Sequence, residues 1–140
     1  MAKVGIVYWT SSGNTGKLAE AVKEGAEKAG AQVDLIEAEV FDPSTTASYD
    51  ALGFGCPAMG VEQLEESIFE PMFESAEGML SGKKIALFGS YGWGGGQWMK
   101  DWQERVANDG GKLVDDGLAV NGEPDADALA KAEELGAKLA

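Results

Sequence analysis

Three stretches of this chain concentrate residue types able to hold a ligand. The first is Thr10-Ser11-Ser12-Gly13-Asn14-Thr15-Gly16, small and hydroxyl-rich, running straight into a segment of helical period. Helix N-termini offer free N–H groups and partial positive charge, a ready anion site. The hydroxyls of Thr10, Ser12 and Thr15 and the amide of Asn14 add donors suited to phosphate oxygens. No lysine or arginine lies within the loop, and Lys17 is already on the helix. Such a site holds phosphate by neutral donors alone, which suits a terminal monophosphate kept inside. An ordinary helix cap needs one such residue, and a run of seven points to anion binding instead. A Walker loop would end in Gly-Lys-Ser/Thr and a dinucleotide fingerprint needs spaced glycines, and neither pattern is present.

The second stretch is Gly89-Ser90-Tyr91-Gly92-Trp93-Gly94-Gly95-Gly96-Gln97-Trp98, the third Gly55-Cys56-Pro57-Ala58-Met59-Gly60-Val61-Glu62. A planar aromatic stacks on an electron-rich ring, and a thioether is a polarizable partner for the ring's other face. Trp93, set between glycines that let backbone approach a ligand, reads as such a stacking residue. Trp98 and Trp102 have helical spacing and read as core, and Trp9 reads as structural. Cys56 ends an apolar run with no second cysteine to resolve it, so it is assigned no chemistry.

The rest of the composition narrows the chemistry. With no histidine and one cysteine, internal disulfides, structural Cys/His zinc sites and histidine-dependent catalytic triads are excluded. The formal charge of −13 argues against nucleic acid or an anionic membrane as partner and favours a protein with a basic docking face. The 140 residues, 44% hydrophobic, suit a single domain over 1–140 with a sizeable core. No run approaches the roughly 20 apolar residues of a membrane helix, and the N-terminal apolar run is too short for a signal peptide. Cytoplasmic residence is the expectation.

Short apolar runs alternate with segments of helical period. Strands are expected over 4–9, 33–36, 51–56, 84–89 and 112–120, with helices from Asn14 to a stop at Gly30, over 65–80, over 96–108, and from Pro124 onward. This alternation implies an α/β three-layer sandwich, a five-stranded parallel sheet of order 2-1-3-4-5 with helices on both faces. Ligands in such sheets sit outside the carboxyl ends of the strands at the switch point. The three unusual stretches follow strands one, three and four.

Tyr8-Trp9-Thr10-Ser11-Ser12-Gly13-Asn14-Thr15 resembles the phosphate loop of the flavodoxins, Thr/Ser-x-Thr/Ser-Gly-Asn-Thr after the first strand. The loops at 55–62 and 89–98 resemble the flavin-contacting loops of the short-chain flavodoxins of anaerobic bacteria, and the resemblance covers essentially the whole chain. It implies one non-covalent flavin mononucleotide (FMN). By position, Met59 and Trp93 would pack on opposite faces of the isoalloxazine, with Ala58 in the same loop. Glu62 would accept from flavin N3–H, and Ser90, Tyr91 and Gly92 would line the ribityl chain and pyrimidine edge. The Gly60-Val61 peptide would present its carbonyl to N5. Partners by resemblance are ferredoxin-using oxidoreductases and reductases, met by a monomer.

Fully reduced FMN carries negative charge on its ring. The chain holds glutamates at 62, 65, 66, 70 and 74 with no lysine or arginine between them. Those flanking the flavin would oppose the anionic hydroquinone, and stacking between Met59 and Trp93 would desolvate it. The neutral semiquinone escapes both penalties, so the expected function is a low-potential carrier shuttling between semiquinone and hydroquinone. Val61 departs from the small or polar residue usual after Met-Gly, and a β-branched residue resists positive φ. The turn is therefore expected to put positive φ on Gly60 and to favour the carbonyl-in form, a cis Gly60-Val61 peptide being another solution. The rival is an FMN-dependent NAD(P)H:quinone-type reductase, which needs room for a second substrate. A phosphorylation-switched receiver module fails because strand one ends in Trp9-Thr10-Ser11 rather than clustered aspartates, and an FMN-free interaction protein leaves the Gly/Trp loop without purpose.

Overall fold

A computed structural model describes residues 2–140. Six strands alternate with four α-helices: β1 (Lys3–Tyr8), α1 (Asn14–Lys28), β2 (Gln32–Glu37), β3 (Ala51–Gly55), α2 (Phe69–Ala76), β4 (Lys84–Tyr91), α3 (Gln97–Asn108), β5 (Lys112–Leu113), β6 (Leu118–Asn121) and α4 (Ala126–Ala137). Every pairing is parallel, in the order β2-β1-β3-β4-β5, with β6 also on β4. The expected α/β sandwich is the observed one.

Side chains alternate across the sheet and build two cores. Val7, Leu52, Phe54, Ile85 and Leu87 pack with Phe69, Phe73, Trp98 and Trp102 of α2 and α3. Val4, Ile6, Ala86 and Phe88 pack with Leu18, Val22, Leu135 and Leu139 on the α1/α4 side. Trp98 and Trp102, each 2% exposed, are core residues as their spacing indicates, and Trp9 packs against the same cluster.

Three elements differ from expectation for reasons the local chemistry shows, and the others agree to within two residues, with β4 running on through Ser90 to Tyr91. The fifth strand, expected over 112–120, is split into β5 and β6. The break falls at Asp115-Asp116-Gly117, where the Gln103 side chain takes the Gly117 N–H at 2.6 Å. The helix expected over 65–80 starts at Phe69 and tightens to a 3₁₀ turn at Glu77–Met79. Pro71 tolerates only the first turn, and the Glu65 carboxylate collects the N–H groups of Ser67, Ile68 and Phe69 at 2.7–2.9 Å. Burial pushes the Glu65 carboxyl up, but those N–H bonds outweigh it and hold it below its ordinary value. Pro124 precedes the last helix instead of opening it, because Asp125 is the cap, accepting from Ala128 N–H at 2.8 Å.

Helices α1 and α4 cross closely because two glycines face each other's backbone. A Cβ on Gly25 would stand 1.9 Å from the Glu133 carbonyl oxygen, and one on Gly136 would stand 1.9 Å from that of Val22. On the opposite layer Arg105 clamps α3 to α2. It donates to both Glu70 oxygens at 2.7 Å and to both Glu77 oxygens at 2.8 and 2.9 Å, with its guanidinium 4.9 Å from the Phe73 ring centroid. Asp109 Oδ2 is buried beside this clamp with no hydrogen-bond partner among the described residues. Burial, then the neighbouring Glu77, push the Asp109 carboxyl up to about 6 against the pull of Arg105.

Two outcomes follow. Gly136→Ala forces the helices apart and lowers unfolding free energy by about 1–3 kcal/mol, read from urea denaturation. A raised carboxyl pKa means that the folded state binds the Asp109 proton more tightly than the unfolded one, so stability falls as pH climbs from the ordinary 3.8 through about 6. Asp109→Asn, a stand-in for the protonated acid, therefore raises Tm at pH 8 by roughly 3 °C. The gain disappears near pH 4, and calorimetry at the two pH values checks it.

Candidate functional site

The loop after β1 is folded by its first hydroxyl. Thr10 Oγ1 accepts from Gly13 N–H at 3.1 Å and Gly16 N–H at 3.3 Å. Both lone pairs are thereby used, and the Thr10 O–H proton is left for an outside acceptor. The first intrahelical bond is Lys17 N–H to Gly13 C=O at 3.1 Å. Among the described residues, no internal acceptor takes the N–H of Ser11, Ser12, Asn14 or Thr15. The Thr15 side chain is buried and turned toward β4, its Oγ1 3.1 Å from Ser90 Oγ and accepting Ser90 N–H at 3.2 Å. It braces α1 against β4, and its backbone N–H has no internal acceptor among the described residues. No cation enters: Lys17 Nζ is bound to Glu123 at 2.8 Å.

A cavity of about 170 Å³ joins the loops. Ser11, Ser12 and Asn14 line it from the first loop, Ala58 and Met59 from the second, and Ser90, Tyr91 and Gly92 from the third. Ala58 N–H donates to Ser90 C=O at 3.0 Å, tying the second loop to the third. Pro57 and Gly122 also line the cavity, and neither was anticipated. Asn121-Gly122 is a turn dipeptide at the carboxyl end of the last strand, and that position was the available signal. A larger groove of about 490 Å³ touches Thr10 and Gly13 on the α1 side. Its walls carry Glu20, Glu24 and Glu133 against the single cation Lys17, a balance that disfavours phosphate, and the smaller cavity carries no carboxylate.

Gly60, Val61, Glu62 and Trp93 do not line this cavity, and Glu62 lines a separate one with Trp98 and Trp102. Met59 and Gln63 pair across the turn, N–H to C=O at 2.7 Å one way and 2.9 Å the other. Gly60 has φ 54° and Val61 has no positive φ, so the β-branched residue escapes the strained position; every described peptide bond is trans. Glu62 has φ 47°, and its Oε1 accepts from Gln97 N–H at 2.9 Å, joining the turn to the start of α3. Val61 and Trp93 are 83% and 66% exposed. Of the five glutamates, Glu70 is met by Arg105, Glu65 serves α2, and Glu66 holds the Gln63 amide. The lysine- and arginine-free run is therefore not free of cations in space. Cys56 is buried with its thiol pushed up to about 12, chiefly by burial, which makes it unreactive. No metal-holding group of histidine, cysteine, aspartate and glutamate is found among the described residues.

A loop of free N–H donors opening on a cavity at the switch point of a doubly wound sheet is the arrangement of proteins that hold a phosphate-bearing ligand. The Flavodoxin family model matches residues 6–136. The chain is 45% identical to a flavodoxin of Clostridium beijerinckii, covering 96% of this chain and 97% of that one. It is 43% identical to a flavodoxin of Megasphaera elsdenii, covering 87% and 88%. The solution structure of two-electron reduced Megasphaera elsdenii flavodoxin superposes with a TM-score of 0.88 at 40% identity, covering 97% of both chains. The chain belongs to the flavodoxin family, FMN-binding electron-transfer proteins rather than enzymes and themselves the type example of this sheet order with its switch-point site.

The residues present fit FMN. Four unpaired N–H groups and the Thr10 proton form a donor set for a phosphate, and the cavity beyond them opens toward Met59, Tyr91 and Gly92. Because Thr10 both shapes the loop and keeps a donor, Thr10→Val weakens FMN binding by about 10- to 100-fold. Thr10→Ser stays within about threefold of the parent, and titration of FMN fluorescence quenching separates the two.

Proposed function

We propose that this chain is a low-potential one-electron carrier that shuttles its FMN between semiquinone and hydroquinone for redox proteins with basic docking faces. The reading includes a single domain over residues 1–140, acting as a cytoplasmic monomer, with ferredoxin-using oxidoreductases and reductases as partners. The observation that carries it is the pairing of a cation-free donor loop with exposed Val61 and Trp93 at the same strand ends. Bound FMN supplies the electron-accepting ring system. Ser11, Ser12, Asn14 and Thr15 bind its phosphate through N–H groups, Met59 and Trp93 orient the ring, and Glu62 meets its N3–H edge. The Gly60 carbonyl would accept a hydrogen bond from flavin N5–H, and Val61 favours that form because it resists positive φ.

Electrostatics support a low potential. The chain's net charge is −13, and the phosphate is met by dipoles that do not offset it. Glu62 lies in the 59–63 turn and Glu66 is bonded to it through Gln63, so negative charge added to the ring is disfavoured. The same charge supports salt-dependent docking to a basic partner and disfavours self-association.

Stepwise anaerobic reduction of the FMN-loaded protein tests the reading. A yellow protein that turns blue at half reduction is expected; flavin that bleaches directly, with steady NAD(P)H oxidation, would point to the reductase instead. Val61→Gly is expected to shift the one-electron potentials by tens of millivolts, about 59 mV corresponding to tenfold in a one-electron equilibrium. Unchanged potentials by spectroelectrochemistry would remove Val61 from the mechanism.

A further inference from the structure

The break at Asp115-Asp116-Gly117 leaves β6 as a short edge strand with β4 on one side only. The ladder sets which of its backbone groups point outward. Gly122 N–H donates to Tyr91 C=O at 2.9 Å, whereas Ser90 C=O turns the other way, to Ala58 N–H at 3.0 Å. With Gly89 opposite Ala119 and Tyr91 opposite Asn121, the N–H and C=O of Leu118 and Val120 face β4. Those of Ala119 and Asn121 face away from the sheet, and both residues are exposed. Among the described residues nothing pairs with this outer edge.

A groove follows the edge. Beside β6 it measures about 270 Å³ and reaches Asp127 and Lys131 of α4. A neighbouring cavity of about 380 Å³ takes in Asp116, Gly117 and Glu134 and shares Leu118 and Lys131 with it. Asp115 is paired with Lys138, Glu123 with Lys17, and Asp125 caps α4. Asp116, Asp127 and Glu134 make no ion pair among the described residues, and Lys131 is the one cation on these walls. The upper end of β6 runs into Gly122, which lines the cofactor cavity.

We propose that the outer edge of β6 pairs with an extended basic segment of the redox partner, which adds a strand to the sheet. Main-chain bonds to Ala119 and Asn121 supply the pairing, and lysine or arginine side chains of the segment meet Asp116, Asp127 and Glu134. Docked there, the partner stands at the rim of the cofactor cavity. A second copy of this chain is a poor occupant, since each copy carries −13. The proposal rests on the reading of the chain as a carrier serving basic partners.

The test is an amide-resolved NMR titration of the FMN-loaded protein with acetyl-Lys-Val-Lys-Val-Lys-Val-amide, and with the peptide in which glutamate replaces lysine. The lysine peptide is expected to shift the amides of residues 118–122 and to slow exchange of the Ala119 and Asn121 N–H groups; the glutamate peptide is expected to do neither. Ala119→Pro deletes an outward N–H without touching the β4 ladder and weakens binding about tenfold or more. The Asp116→Lys, Asp127→Lys double variant keeps the backbone whole, weakens binding as well, and serves if the proline variant does not fold. Shifts spread over the acidic surface without protection at Ala119 and Asn121 would overturn the proposal. So would variants that bind like the parent, or a concentration-dependent dimer joined through these amides. The titration involves no electron transfer, so a protein that turns blue on half reduction yet ignores the peptide loses only this proposal. One that pairs with the peptide but never turns blue loses only the carrier reading.

Discussion

Main-chain hydrogen bonds that continue the ladder past the ends of β1 and β3, the latter onto β4, hold the candidate site together. Trp9 N–H reaches Gly55 C=O at 2.9 Å, Cys56 N–H reaches Phe88 C=O at 3.1 Å, and Ala58 N–H reaches Ser90 C=O at 3.0 Å. The first two loops leave the sheet level with one another, Tyr8 opposite Gly55 and Gly55 opposite Phe88, and β4 runs on to Tyr91 before the third begins. The Thr15–Ser90 contact, at 3.1 Å between the hydroxyls, locks the first loop to the third. Because the ladder sets the loops, side chains within them can be chosen for the ligand rather than for folding. That freedom explains how Val61 and Trp93 remain at the surface beside a fully packed core.

Charge is the second constraint. A chain carrying −13 that binds FMN must accommodate a phosphate, and its hydroxyl-rich loop offers N–H donors with no lysine or arginine among them. Lys17 is the nearest candidate and is bound to Glu123 instead. Dipoles of N–H groups stabilise an anion where they point and contribute no net charge elsewhere. A lysine in the loop would also stabilise negative charge added to the ring, raising the potential. Neutral donors thus separate two tasks, holding an anion and disfavouring a further one.

The sheet order was legible because each apolar run is bounded by turn residues and each helix carries a clear face. The donor-rich turn into α1 was legible because hydroxyls and glycines crowd one strand end, and its free N–H groups are what the structure adds. What could not be read came from contacts between distant residues. The five-glutamate run carries no cation in sequence, yet Arg105, some 30 positions on, meets Glu70 at 2.7 Å. Gly122 entered the cavity through the β4–β6 register, which no local pattern displays. Pro71 and Asp125 were in plain view, and their local rules, proline in the first turn and aspartate as cap, would have moved both helix starts correctly.

The Arg105 clamp and the Glu62 link bear on the same element from opposite ends. Glu62 holds the start of α3 through Gln97 N–H at 2.9 Å, and Arg105 holds its last turn to α2 through Glu70 and Glu77. Between them Trp98 donates its indole N–H to the Cys56 carbonyl at 3.2 Å, at the base of the second loop. Helix α3 is therefore fixed at three points along its length, to the 59–63 turn, to β3 and to α2. The glycines that precede it, at 94, 95 and 96, are the compliant part of the connection to β4. Trp93 is thus carried on a pliable loop between two rigid anchors, β4 and α3. Its ring stands at the surface, apart from the core that Trp98 and Trp102 fill.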